Sequence, residues 1–538
     1  MKPAGRLLLA ASIILLLLIP FLIHFIFNGE DIAGELADEA IISGDSDVYD
    51  CVWHFWWVGK ALRMGADPRF CPITFYPEGA TVAFQNIGWP DTWLMALTGL
   101  SESSPVTAYN LSILFGTILA ACGAFWAARQ WGLDTIGCFF AALALAWLPS
   151  RIAHMGQHYQ IASLGYLAFS LGSIRAWLTG GKAWQLILVV IFSLLACFES
   201  AYFALLGGFG LLASILLGFR DMDHRAYRIS MLVSAFLASV IAAGVFFMTS
   251  PGLGSDTPAL SWREAVYWAA EPQSWLLPSP YGFFGRLLSI PAKFSWMSNS
   301  FEGVVTPGLT LLGIFVFSVV KRRKWLLAGL IGFLVLLSLG PELRIFGRPL
   351  GVPLPYRLIL LAPLLDGARS PSRFALLAGF FIALEAGRYF SAVRLKWKFV
   401  LGGCLILELM LPSLTVISGF IPEEYERMAE SEGPILEVPS SPHVRRYSFF
   451  QVSDGLPRLL SFMVRPGSSV IPENLTPFRL ETSEIPDRQD ALATGAKLIV
   501  YNRWMFSDRE REIFDSRFSP LFEGFDTDDS LWIWRSGE

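Results

Sequence analysis

Three aspartates, Asp45, Asp47 and Asp50, stand in GDSDVYDCVWHFWW (44–57) directly ahead of Trp53, Trp56 and Trp57. Held at a membrane surface, such carboxylates can meet a lipid head group; placed at a helix start, they satisfy free backbone N–H groups and favour the helix dipole. His154 and His158, in RIAHMGQHYQ, are spaced i, i+4, so a helix puts both imidazoles on one side. With Asp45, Asp47 or Asp50 they have the donor types for a divalent cation such as Mg or Mn. They suit hydrogen bonds to a sugar or phosphate, or a structural pair, equally well, and Met155 rules out an HExxH metal motif. Arg369 and Arg373, in DGARSPSRF, are four apart at the start of an apolar run, where guanidinium forks can face a phosphate. The competing reading is interfacial anchoring by snorkelling. Arg151 is a weaker candidate of the same kind. Trp262, Trp268, Trp275 and Tyr281 lie in an aromatic loop, WREAVYWAAEPQSWLLPSPYGFFG, and read either as stacking faces for sugar rings or as membrane-belt residues. Glu199 falls between two apolar runs, where an acid near membrane depth is functional or paired unless it simply reaches solvent.

The elements that must position these residues are mostly lipid-facing. The chain has 538 residues, 54% hydrophobic and 16% charged, with mean hydropathy +0.50. That composition belongs to polytopic membrane proteins, and a net charge of −4 gives no support to nucleic-acid binding. Residues 7–27 are long enough to cross the bilayer, with no cleavage site after them. Further apolar runs near 106–128, 135–149, 160–178, 184–198, 201–219, 229–248, 305–320, 325–340, 372–388 and 399–418 bring the expected spans to about eleven. A cytoplasmic amino terminus puts Lys2, Arg6, Arg129, Lys182, Arg225, Arg228, the KRRK run 321–324 and Arg388 through Lys398 on one face. The first loop 28–105, the loop 249–304 and everything after about 419 then lie outside.

Within the first loop, Glu30 to Asp50 holds eight acids and no base, an acidic connector. VYDCVWHFWWVGKALRMG then reads as a helix lying flat in the interface, with Val48, Val52, Phe55, Trp56 and Gly59 near one face. Cys51 and Cys71 share this loop, and an oxidising compartment permits a disulfide between them without requiring one. Towards the carboxy terminus, PILEVP (434–439), KLIVYN (497–502) and SLWIWR (530–535) read as short buried strands and SDREREIFDSRF as a helix. The expected organisation is a polytopic all-α membrane domain over 1–418 followed by a small α/β domain over 419–538.

Taken together, GDSDVYDCVWHFWWVGKAL, FYPEG, SRIAHMGQHYQIASLGYLAFSLG, EPQSWLLPSPYG, RSPSRFALLAGFFIALEAG and GPILEVP resemble the GT-C superfamily of polytopic glycosyltransferases, in an uncharacterised bacterial branch with a periplasmic carboxy-terminal domain. The resemblance implies transfer of a sugar from a polyprenyl-phosphate-linked donor to a glycan, lipid or protein acceptor at the outer face of the inner membrane. It implies an aspartate of the first external loop as general base, for which Asp45 and Asp47 are the matches. Departure of the phosphate needs cations, the part offered by Arg369 and Arg373. No WWDYG-type signature is present, so oligosaccharyl acceptor chemistry is not carried over. Two rival readings remain, a transporter or flippase of lipid-linked sugars and a non-catalytic envelope-glycan assembly protein. Clean spans and the lack of an internal repeat favour the enzyme.

Overall fold

Interruptions in the apolar runs, as much as their hydropathy, decide which helices this chain builds. The computed structural model describes residues 40–42, 47–85, 87–219, 222–251, 262–291, 293–297, 301–361, 368–409, 416–439, 444–460, 475, 478, 485–522 and 531–536. The expected first span 7–27 and Asp45 lie outside the described residues.

The chain enters through β1 (Ala40–Ile42), α1 (Asp47–Arg63) and α2 (Trp89–Leu97). It continues through α3 (Pro105–Gln130), α4 (Thr135–Ala146), α5 (Pro149–Met155), α6 (Gly165–Gly180), α7 (Ala183–Glu199), α8 (Ala201–Gly218) and α9 (Arg225–Met248). After the aromatic loop come α10 (Leu309–Arg322), α11 (Trp325–Ser338), α12 (Phe374–Ala392) and α13 (Leu395–Leu409). The carboxy-terminal part comprises β2 (Val416–Ser418), β3 (Ile435–Val438), α14 (Val444–Asp454), β4 (Leu498–Asn502), α15 (Asp508–Phe522) and β5 (Leu531–Arg535).

Among the described residues five helices are long and apolar enough to cross a membrane, or six if α4 and α5, bent by 41°, form one broken span. Eleven spans are therefore not confirmed. Pro149 opens a new helix within the run 135–149, and Pro307 with Gly308, at φ +97°, delays α10 to Leu309. Helices α7, α10, α11 and α13 are 14 to 17 residues long. Arg151 belongs to the break. Fully buried, it donates to the carbonyls of Ala146 and Ala162, each at 2.6 Å, and to the Thr117 hydroxyl at 2.9 Å. Its guanidinium satisfies loose backbone acceptors and is committed to the fold rather than to a phosphate.

Helix α6 is central, packed on α3 and α7. A Cβ on Gly165 would lie 2.4 Å from the Leu119 backbone, and one on Gly123 2.6 Å from the Gly165 carbonyl, so the two backbones touch where both residues are glycine.

The expected flat interfacial helix is instead buried. In α1 all residues from Val48 to Gly59 are covered, because apolar groups occur all round the helix rather than on one stripe. Helices α2 and α3 cover one side and α14 another. The carboxy-terminal part grips this first loop: β1 pairs antiparallel with β2, and Tyr49 donates to the Ser418 carbonyl at 2.8 Å. Trp53 donates to the Gln451 side chain at 2.8 Å. Cys51 and Cys71 are both buried free thiols, Cys51 packing in the central core and Cys71 in a separate aromatic cluster. The disulfide that the sequence permits between them is not formed.

Strands form at the three expected carboxy-terminal positions. In the sheet β3–β4–β5, β3 and β4 run parallel and β4 and β5 antiparallel. It has its own core, with Ile499, Phe518 and Trp534. Buried Arg458 ties this part to the first loop. Its guanidinium meets Glu437 at 2.7 Å and Asp454 at 2.6 Å, while its backbone exchanges 2.8 Å hydrogen bonds with Ile73 and Tyr76. Replacing Arg458 by Leu strands two buried carboxylates and is expected to cost about 3–5 kcal/mol. Thermal unfolding of the purified protein checks this; a loss below about 1 kcal/mol would show the cluster to be slack.

Candidate functional site

Helix ends converge on one cavity of about 170 Å³. Its polar wall is Gln85 of the first loop, Gln160 ahead of α6, Glu199 at the end of α7, Tyr202 in the first turn of α8, and Arg369 and Arg373 ahead of α12. Phe84, Phe198 and Phe247 give it an apolar side, with Phe84 and Phe247 centroids 5.6 Å apart. The first loop is held there by Arg69, which ion-pairs Asp67 at 2.8 Å and donates to the Phe246 carbonyl at the end of α9 at 2.7 Å.

The two arginines differ. Arg373 is buried, and its guanidinium meets Glu302 at 2.7 and 2.8 Å and lies 4.2 Å over the Tyr202 ring. Ser372 donates to the same carboxylate, and His154 Nε2 stands 3.1 Å from it. Burial alone would raise the Glu302 carboxyl, but Arg373 and then His154 hold it well below the usual range. Arg369 is only partly buried and has no hydrogen-bond or ion-pair partner among the described residues. It is a cation with donors to spare.

Glu199 is fully buried; the Asp91 N–H and the Ser163 hydroxyl lie close, but neither of its oxygens completes a well-formed hydrogen bond. It presses on Gly88, where a Cβ would lie 2.0 Å from Oε1. Asp91 neighbours it, accepting from Ser163 at 2.5 Å and Tyr166 at 2.9 Å. Burial outweighs these bonds and pushes the Asp91 carboxyl up to about 6.

The expected site residues divide. Arg369, Arg373 and Glu199 come together at the cavity, with His154 behind Arg373 through Glu302. His158 sits near these charges, and burial, followed by Arg373, lowers its imidazole to about 3. Asp47 is elsewhere, ion-paired with Arg445 of α14. Asp50 lies 3.5 Å from the same guanidinium, its carboxyl raised well above the usual range by burial. Trp275 is buried and donates to Ser338 at 3.2 Å, Tyr281 stacks on Phe301, and Trp268 packs edge-on against Tyr267. None of the three lines the cavity. Trp262 lies under Arg357 at 4.5 Å.

Among the described residues no three His, Cys, Asp or Glu side chains converge as ligands. Ser150 takes His154 Nδ1 at 2.6 Å, and Arg445 takes Asp47. Reasoning from sequence missed Glu302 and Asp91. Glu302 sits alone in SFEGVV, an acid in an apolar stretch and so a signal of pairing; Asp91 in WPDTW reads only as a first-turn helix acid.

The chain shares its fold with solved structures of low sequence identity. It matches the arabinofuranosyltransferase AftD from Mycobacteria at a TM-score of 0.56 and 14% identity, over 94% of this chain and 35% of AftD. It matches the apo oligosaccharyltransferase of Archaeoglobus fulgidus at a TM-score of 0.51 and 12% identity, over 94% and 70%. ArnT from Cupriavidus metallidurans bound to undecaprenyl phosphate matches over 99% and 98% at 12% identity, with a TM-score of 0.43. No sequence-family model and no curated protein matches the chain.

The contact of Gly88 with Glu199 gives a test of this geometry. Gly88→Ala is expected to destabilise the protein by about 1–3 kcal/mol through overpacking, and Glu199→Ala in the same chain to remove most of that loss. A thermal-unfolding double-mutant cycle reads the coupling; strictly additive effects would separate the two residues.

Proposed function

We propose that the protein is a glycosyltransferase that moves a sugar from a polyprenyl-phosphate-linked donor to a glycan, lipid or protein acceptor, at the outer face of a bacterial cytoplasmic membrane. The observation that carries this reading is Arg369, a guanidinium without a partner among the described residues, set beside Arg373 in a cavity walled by the first loop. The pattern of basic residues puts these helix ends outside, where the head group of a lipid-linked donor would lie. Two solved proteins of the same fold are, by name, an arabinofuranosyltransferase and an oligosaccharyltransferase.

In this reading Arg369 binds the phosphate bidentately, and Arg373, fixed by Glu302 and Tyr202, adds positive potential behind it. Both stabilise the charge that grows on the phosphate as the glycosidic bond breaks, and attack from the opposite side of the sugar inverts the anomeric carbon. Gln85 and Gln160 offer hydrogen bonds to sugar hydroxyls, and Phe84 and Phe247 an apolar face to the ring. For the base, the resemblance proposes Asp45 or Asp47. Asp47 faces Arg445, so the cavity's own carboxylate competes with the first loop for the role.

Purified protein given polyprenyl-phosphate-linked sugars is expected to release the polyprenyl phosphate, whereas a transporter would leave the donor intact. Loss of a charge-assisted bond worth about 1.5–3 kcal/mol predicts that Arg369→Ala weakens donor affinity roughly 10- to 100-fold. An unchanged donor affinity would remove the phosphate from this cavity.

A further inference from the structure

Six glutamates are buried among the described residues, and five of them are paired. Glu271 accepts from Gln273 and from the Gly347 N–H, Glu302 holds Arg373, Glu385 takes Ser318 and Arg388, and Glu437 meets Arg458. Glu408 shows what a glutamate does when its task is to hold helices together: its two oxygens accept from the Leu309 and Thr310 N–H groups at 2.5 and 2.7 Å and cap α10 from α13. Glu199 occupies a comparable place, at the end of α7 and against Gly88, the residue ahead of α2. Capping would give it bonds like those of Glu408; the Asp91 N–H and the Ser163 hydroxyl lie close to it, yet neither oxygen completes a well-formed bond.

A buried carboxylate with no well-formed hydrogen bond costs free energy that folding alone gives little reason to retain. Its other neighbourhood is the cavity, which it lines together with Arg369 and Arg373. The adjoining acid, Asp91, is already supplied with two hydroxyl donors. Burial beside a second carboxylate raises proton affinity, which is what a base needs.

We infer that Glu199 is the general base of the cavity, taking the proton of the acceptor hydroxyl as the sugar is transferred. The inference rests on the glycosyltransferase reading. In the step, the acceptor O–H gives its proton to a Glu199 oxygen. The electron pair left on the acceptor oxygen forms the bond to the anomeric carbon. The bond from this carbon to the phosphate oxygen breaks, and its pair leaves on the phosphate against Arg369. Donor, acceptor and one carboxylate balance the reaction, with water as the acceptor when the product is free sugar.

The test uses the full chain in nanodiscs, with a polyprenyl-phosphate-linked sugar and water as acceptor. It follows two signals, thermal stabilisation by polyprenyl phosphate and release of polyprenyl phosphate from the donor. Glu199→Gln keeps the shape and removes the charge. It is expected to retain the thermal shift while release falls about 100-fold or more. Glu199→Ala is expected to be equally slow and to regain release when formate is added, a rescue that a merely structural glutamate would not give. Release by Glu199→Gln within threefold of the parent, or a stably folded Glu199→Ala that formate does not rescue, overturns the assignment. Loss of release in Asp45→Asn, with full release in Glu199→Gln, returns the role to the first loop. If the parent chain neither binds polyprenyl phosphate nor releases it from the donor, the glycosyltransferase reading itself has failed.

Discussion

A guanidinium buried near lipid must find a counter-charge, and in this protein Arg373 finds Glu302. The remaining electrostatics of the site follow from that pairing. With Arg373 matched by Glu302, and His154 and Ser372 bound to the same carboxylate, the loop that carries Glu302 is fixed to the start of α12. Among the described residues, the charged side chains of the cavity left without an ion pair are Arg369 and Glu199. A cation and a carboxylate lining one small apolar-backed space suit group transfer from a phosphate.

The cavity also depends on distant parts of the chain. Its first-loop wall, Ala83, Phe84, Gln85 and Ile87, follows α1, and α1 is covered by α14 of the carboxy-terminal part. The links are specific: Trp53 with Gln451, Arg445 with Asp47 and Asp50, and Arg458 with the backbone of Ile73 and Tyr76. Buried pairs of this kind contribute little net stability, but breaking one is expensive, so they fix register. The carboxy-terminal sheet thereby acts as a brace for the first loop. Gly165 against α3 and Arg151 across the α4–α5 break do the same for the helices that present Gln160.

Local chemistry could be read along the chain, and long-range pairing could not. The pair Arg369 and Arg373 and the isolated Glu199 stand out because charge is rare in apolar sequence. The three carboxy-terminal strands stand out because short apolar runs are bounded by turn residues. Asp47 and Asp50 meet Arg445, almost 400 positions away, and nothing local marks that pairing. The same distance hid the burial of α1, whose aromatic residues suit an interface and a core equally well until α14 is seen to cover them. Pro149, Pro307 and Gly308 break helices inside apolar runs that hydropathy reads as continuous. The two histidines were correctly paired in space, with ring centroids 6.3 Å apart, but His154 had already been claimed by Ser150 and Glu302.

The central claim is that lipid phosphate and acceptor meet between Arg369 and Glu199. An electron cryo-microscopy structure of the protein in nanodiscs with a polyprenyl-phosphate-linked sugar tests it most directly. The account expects the phosphate within hydrogen-bonding distance of the Arg369 guanidinium and the anomeric carbon on the side that faces Glu199. A phosphate bound outside this cavity, with Arg369 in solvent and Glu199 away from the sugar, would contradict it.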